Sequence, residues 1–239
     1  VRGLLWRFQY GVVGKRAKLL AVSDFYRKKV ISIGFAEEQS QVILNGIDTS
    51  RLEVGHFSEK QKYQFLTLGW DFYRKGDDII IEACKRLYDE GYKFYLLLNG
   101  NDSTWPILEQ FLKSKEYPFL IKGYPTKKIG ELYKSANIFI QASRKETFSY
   151  AVCEASYMGM PVISSDIVGL EWAHQLPTVS FFENENVEDL YDLMKMFLDG
   201  KHFTEKEYYR TKAIIDSEYT IQAWSHKVMK IYNLGEKKC

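Results

Sequence analysis

The sequence predicts a doubly wound α/β fold, a parallel sheet covered on both faces by helices, and three observations carry that expectation. From about residue 41, short apolar runs rich in β-branched and aromatic residues alternate with longer amphipathic stretches, the pattern of parallel strands joined by helical crossovers. Those stretches keep the helical period: Ile80, Ala83, Cys84 and Leu87 fall at i, i+3, i+4 and i+7, and Val187, Leu190, Leu193, Met194 and Phe197 form a second stripe. Several runs end in glycine or a small polar residue: Gly69 after FLTL, Gly100 after LLLN, Gly123 after FLIK and Ser143 after IFIQA. Open parallel sheets bind ligands beyond their strands' carboxyl ends, where glycine lets backbone approach closely, although each glycine taken singly also suits a plain turn.

In chain order, the first 35 residues read as a helical segment, a short strand near 19–22 and a helix from Asp24, the closing piece of a preceding α/β unit joined through Gly34. Seven strands follow, at 41–44, 63–68, 94–98, 119–122, 137–141, 162–165 and 179–182, with helices between them. Residues 217–233 read as a last helix carrying Tyr219, Ile221, Trp224, Val228, Ile231 and Tyr232. The expected organisation is therefore an end piece and linker over 1–40, the main α/β domain over 41–216, and a terminal helix and tail over 217–239. The opening Val in place of Met reads as the start of a fragment.

With 239 residues, 46% of them hydrophobic, the chain is long enough to bury a large core, which argues against disorder. The net charge of +2 hides an uneven distribution: residues 1–34 carry eight Lys and Arg against one Asp. Such a segment can face an acidic membrane surface, nucleic acid, a missing partner domain or plain solvent. The expectation drawn is a missing domain and a peripheral membrane contact, without nucleic acid. Cys84, Cys153 and Cys239 have neither disulfide nor metal spacing, which implies a reducing, cytoplasmic setting. No run is long and apolar enough to span a bilayer, and VRGLLWRFQYGVVGKR is too broken by charge for a signal peptide.

Chemistry concentrates in SRKETFSYAVCEASYMGMPVISSD, residues 143–166. Glu146 falls in a strand-to-helix loop; Glu154 falls in an apolar helical run whose neighbours at three and four residues are Tyr150, Ala151, Tyr157 and Met158. A carboxylate on an apolar stripe is costly unless something hydrogen-bonds to it, either ligand hydroxyls or a buried partner. Eight helical residues rise about 12 Å, so the two glutamates can bracket an elongated ligand, with the N–H groups of Phe148 to Tyr150 between them suited to phosphate. A nucleoside diphosphate sugar has that layout. The plainer readings are a solvated loop charge for Glu146, beside Arg144 and Lys145, and an internal ion pair for Glu154.

The residues also resemble a family. Glu146 and Glu154 match the E-x7-E motif of the family 4 retaining glycosyltransferases within the pattern S-x-x-E-T-F-x5-E-A-x3-G-x-P-V-I, and VILNGIDTSRL (42–52), LGWDFYRKGDDIIIEACKRL (68–87) and KGYPTKKIGELYKSANIFIQAS (122–143) follow it in order and spacing. The resemblance covers nearly all of residues 41–200. It implies the nucleotide-sugar-binding half of a two-Rossmann-domain (GT-B) enzyme, with Glu154 on the ribose and Glu146 on hydroxyls of the transferred sugar. Lys75 would neutralise the diphosphate, with Arg74 and Gly69 beside it. The backbone around Phe148 and Ser149 would support sugar and phosphate, and Gly123 with Tyr124 would hold the base. Glycosyl transfer with retention would need no cofactor and no metal, and no D-x-D sequence is present.

Two departures stand out. Trp70 occupies the position after the strand glycine where many members carry Arg, and only the end of a first domain precedes residue 41. The expected partners are a nucleotide-sugar donor, a glycan or lipid-linked acceptor and the missing N-terminal domain. A non-catalytic partner or scaffold subunit is the alternative. An epimerase or phosphorylase is a weaker third reading, because His56, His174, His202 and His226 lie in no acid-base motif.

Overall fold

The computed structural model describes residues 17–52, 63–113 and 115–232. The predicted first helical segment, half of the basic N-terminal charges, His56, Cys239 and the end of the tail helix at Asn233 lie outside the described residues. The described residues form two compact units, one of 17–47 with 216–232 and the other from within 48–215.

In the smaller unit, strand β1 (Leu19–Ala21) leads into helix α1 (Asp24–Ser32) and returns as β2 (Ser40–Val42). Helix α1 starts at Asp24 because the Ser23 hydroxyl caps it, accepting from the Tyr26 amide at 3.4 Å, with Asp24 in its first turn. β1 and β2 pair in parallel, Leu19 opposite Ser40. The strand expected at 41–44 thus belongs to this two-stranded sheet and not to the main one. Local hydrophobicity marks a strand but carries no information on which partner it takes.

The larger unit holds six parallel strands: β3 (Gln64–Leu68), β4 (Tyr95–Asn99), β5 (Leu120–Gly123), β6 (Ile138–Gln141), β7 (Val162–Asp166) and β8 (Val179–Glu183). The helices are α2 (Phe72–Lys75), α3 (Asp77–Asp89), α4 (Thr104–Leu112), α5 (Ile129–Lys134), α6 (Tyr150–Tyr157) and α7 (Val187–Leu198). The sheet order β5-β4-β3-β6-β7-β8 means that the chain winds outward from β3 in one direction and, from β6, in the other. The turning point lies between β3 and β6, where a doubly wound sheet opens a crevice beyond its strand ends. Phe65, Leu66, Leu96, Leu98, Ile140 and Ile163 are fully buried in the sheet, and the predicted stripe of Ile80, Ala83, Cys84 and Leu87 is fully buried against it.

Where 217–233 was expected to be one helix, α8 (Glu205–Glu218) ends and α9 (Ile221–Tyr232) begins. Tyr219 and Ile221 exchange backbone hydrogen bonds with Ile47, at 2.7 and 2.9 Å, and the Thr220 hydroxyl accepts from the Ala223 amide to start α9. Helix α8 itself was not foreseen, because only Thr211 and Ile215 of its fourteen residues are buried and its apolar stripe is faint.

One buried group stands apart from this packing. Asp77, the first residue of α3, is wholly buried, and neither carboxyl oxygen finds a hydrogen-bond partner among the described residues. Burial, reinforced by Asp78, raises its pKa well above the ordinary carboxylate value, against the opposing pull of Lys75 and of Thr67, which lies near enough to favour the charge without completing a hydrogen bond. The unfolded chain ionises near pH 3.8 while the folded protein keeps the proton, so Asp77 erodes stability as pH rises from there through its folded pKa. Asp77→Asn is expected to raise the unfolding free energy at neutral pH by about 1–3 kcal/mol, with the advantage vanishing below about pH 4. Urea denaturation at the two pH values checks this; an equal gain at both contradicts it.

Candidate functional site

The carboxyl ends of β3 and β6 bring the predicted residues of two distant segments together. After β3, Gly69 turns the chain at the carboxyl end of the sheet: its amide donates to the Asn99 carbonyl at 3.0 Å and its carbonyl accepts from the Thr104 hydroxyl at 2.8 Å. A Cβ there would lie 2.1 Å from the Asp77 carboxyl, so any larger residue would have to push that side chain aside. One turn of helix, α2, then places Arg74 and Lys75, and Gly76 closes it in the left-handed conformation, φ +73°, before α3 begins. After β6, the loop that holds Glu146 is tied to this turn by the Arg144 amide, which donates to the Arg74 carbonyl at 2.9 Å.

Lys75 and Glu146 form the centre. The Lys75 ammonium donates to Glu146 Oε1 at 2.6 Å, and the same oxygen accepts from Gln141 at 3.0 Å and Ser143 at 2.9 Å. Among the described residues no hydrogen bond reaches Oε2, so the carboxylate is held by one oxygen and offers the other. Its side chain is 10% exposed, which removes the reading of Glu146 as a solvated loop charge. Arg144 is no partner of Glu146: its guanidinium pairs with Asp78 at 2.8 Å and with Glu185 at 2.6 Å. Arg74 lies 3.8 Å from Glu146 Oε1 and is itself held by Asp71 at 2.7 Å.

Beyond Glu146 the chain enters α6. Phe148 is fully buried, stacked on Trp172 with ring centroids 4.6 Å apart, and its carbonyl accepts from the Trp172 indole at 2.7 Å. Ser149 adopts φ +60°, uncommon for a residue with a side chain, and caps α6 by accepting from the Val152 amide at 3.4 Å. Strain of this kind, of order 1–3 kcal/mol, persists where the surroundings over-determine the backbone and clusters at ligand clamps. The turn starts α6 just beyond the carboxyl end of β6.

Glu154 sits one turn into α6 with both oxygens engaged. The buried Tyr133 hydroxyl donates to Oε2 at 2.9 Å and the Arg51 guanidinium to Oε1 at 3.3 Å. Burial raises its pKa, opposed by Tyr133 and Arg51. The buried partner foreseen as one way to satisfy this carboxylate therefore exists, although Arg51 is 58% exposed and open to displacement.

At the β5 end, Gly123 accepts from the Gly100 amide at 3.1 Å, and the Tyr124 carbonyl accepts from the Asn99 side chain at 2.8 Å. The Tyr124 ring is 60% exposed and meets Trp105 edge to face at 5.4 Å. Trp70, in the position of the family's Arg, is also exposed. Of the described histidines, His174 pairs with Asp166 at the end of β7, 3.0 Å away, and His202 lies 3.0 Å from the Gly200 carbonyl.

The pattern around the two glutamates pointed to Lys75, Glu146 and Glu154, but four of their partners went unnoticed. Gln141 and Ser143 carried a usable signal, since a glutamine closing the apolar run IFIQ is a polar residue in a fully buried strand. Tyr133 and Arg51 lie 21 and 103 residues from Glu154 and carried none.

A doubly wound domain with a cation, a carboxylate pair and a capped helix start gathered at its turning point has the fold of one half of a GT-B glycosyltransferase. A glycosyltransferase from Rickettsia africae superposes with a TM-score of 0.83 at 19% identity, covering 98% of this chain and 68% of that one. The Anabaena protein HepE, crystallised with UDP and glucose, superposes with a TM-score of 0.75 at 15% identity, over 91% of this chain and 63% of that one. Residues 48–213 match the glycosyl transferases group 1 family, and the chain belongs to that family. A capsular polysaccharide biosynthesis glycosyltransferase of Staphylococcus aureus is 24% identical over 170 residues, 63% of this chain and 44% of that protein. The chain thus spans less than half the length of the curated relatives it matches. No helix among the described residues is long and apolar enough to cross a membrane, and no cluster of three or more His, Cys, Asp or Glu among them is arranged to hold a metal ion.

Proposed function

We propose that this chain binds the nucleotide-diphosphate sugar in a retaining glycosyl transfer of the family 4 type and supplies the donor-binding half of an enzyme that transfers the sugar to a saccharide, lipid or protein acceptor in glycan biosynthesis. The observation that carries the reading is the Lys75–Glu146 pair at the turning point of the sheet, with Glu146 anchored through Oε1 alone. Lys75 neutralises the leaving diphosphate together with Arg74, without a metal, and the first amides of α6 after Phe148 and Ser149 carry the phosphates. Glu146 Oε2 takes a hydroxyl of the transferred sugar, Glu154 takes the ribose diol, and Gly123 with Tyr124 receives the base. The acceptor, a partner domain and a peripheral membrane contact belong to the same proposal.

Thermal unfolding with UDP, GDP, ADP, dTDP and their sugar conjugates tests it. A ligand at 100 times its Kd adds about 2.7 kcal/mol of stability. One nucleotide is expected to stabilise the parent and not Glu154→Ala. If none stabilises the parent, the scaffold reading gains; its structural support is Trp70, which puts an exposed indole where a second cation would serve the diphosphate.

A further inference from the structure

Resting on the placement of Glu154 at the ribose, we propose that Tyr133 is a positioning residue for the nucleotide: its buried hydroxyl fixes Oε2 of Glu154 and so orients the carboxylate with Oε1 toward the ribose hydroxyls. Tyr133 projects from α5, is fully buried, and stands edge to face on Phe139 of β6 with centroids 5.9 Å apart. A ring wedged there has little rotational freedom, so its hydroxyl is a donor at a fixed place. The hydroxyl carries one proton. Glu154 Oε2 at 2.9 Å is the far better acceptor than the Ala151 carbonyl at 3.5 Å.

The two oxygens of Glu154 are therefore unequal. Oε2 is locked by an immobile, solvent-excluded donor, whereas Oε1 is met only by the exposed Arg51, at 3.3 Å, among the described residues. An exposed guanidinium is held weakly and can swing aside or share the oxygen with an entering diol. The groups that set the charge of Glu154 are few: Tyr133 from α5 and Arg51 from the turn after residue 48 favour the carboxylate, while Asp48 on that turn and burial within α6 oppose it. Burial is the largest of these influences and raises the pKa of Glu154, against the two donors that favour the carboxylate. A protonated Glu154 would keep only one good acceptor and lose the charge that strengthens bonds to two hydroxyls. Tyr133 thereby couples a buried ring on one helix to binding at the next, a role distinct from filling space.

Tyr133→Phe keeps the ring and the packing and deletes only the donor. The experiment is calorimetric titration of the parent and of this variant with UDP, GDP, ADP and dTDP between about pH 5 and 8, alongside the carboxyl chemical shift of Glu154 in protein labelled with carbon-13 at glutamate Cδ and assigned with Glu154→Gln. The expected result is binding about tenfold weaker at the acid end and less than about threefold weaker at pH 8, with the Glu154 titration moved to higher pH. In the Glu154→Gln background, Tyr133→Phe should no longer alter the pH profile. A second variant, 3,5-difluorotyrosine at position 133, keeps the hydroxyl and makes it a stronger donor, so the acid limb and the Glu154 titration should move to lower pH; a space-filling role would leave both in place. An unshifted Glu154 titration in both variants overturns the proposal. So does a shifted titration with an unchanged binding profile. A parent that binds none of the four nucleotides sinks the donor-site reading itself, which is a different failure from a binding parent indifferent to Tyr133.

Discussion

Gly76→Ala is expected to cost about 3–5 kcal/mol of stability and to abolish nucleotide binding. Gly76 is both the last residue of the turn that carries Lys75 and the start of α3, at φ +73° and ψ 26°. A left-handed alanine costs roughly 1–2 kcal/mol by itself. The greater part comes from contact, because the added Cβ would lie 1.9 Å from the Ala142 carbonyl oxygen, a backbone atom that cannot rotate away. Either α2 or the end of β6 must move, and between them they hold Lys75, Gln141, Ser143 and Glu146. Gly91→Ala separates the two contributions: its φ is +91° but nothing lies within 4 Å of the new Cβ. Denaturation should show Gly91→Ala losing about 1 kcal/mol with binding intact. Equal losses for the two variants would contradict the account.

Lys75→Met is expected to weaken nucleotide binding by at least about 30-fold, roughly 2 kcal/mol, because it removes the cation from the diphosphate and leaves Glu146 facing an anionic ligand without its partner. The structural cost is a separate measurement. Glu146 is 10% exposed and Lys75 18%, so the pair is shielded but not sealed, and Arg74 at 3.8 Å restores part of the lost field. A loss of about 2–3 kcal/mol in unfolding free energy is expected, below that of a fully buried pair broken on one side. In a double-mutant cycle with Glu146→Gln the stability losses should be strongly non-additive, since the second change removes the stranded charge. Additive losses would mean that the 2.6 Å contact contributes nothing beyond its separate ends.

What the sequence disclosed followed the physics of each signal. The six strands of the main sheet fall within one residue of the apolar runs that predicted them; the central ones, such as β6 and β7, are apolar because they are buried on both faces, and the edge strands β5 and β8 showed through shorter runs. Partner choice is non-local, and so the run at 41–44 was placed in the wrong sheet. Glu146 and Glu154 were visible through their pattern, and Glu154 also through a polar residue on an apolar helix face. Asp77 carried the opposite impression: an acid opening a helix usually faces water, and only the fold shows it sealed under Gly69. Tyr133 carried no signal of its own, being one of 17 tyrosines in the chain. Its hydroxyl acquires meaning only when α5 and α6 are brought side by side.

Whether the crevice at the β3–β6 turning point receives a nucleotide-sugar donor is decided by a crystal structure of the chain with the nucleotide that stabilises it most. The expected structure has the diphosphate between Lys75 and the first amides of α6, the ribose hydroxyls on Glu154 Oε1 with Tyr133 still on Oε2, and the base against Tyr124. A nucleotide bound elsewhere, or one bound here with Glu154 still closed by Arg51 and the ribose turned away, would contradict it.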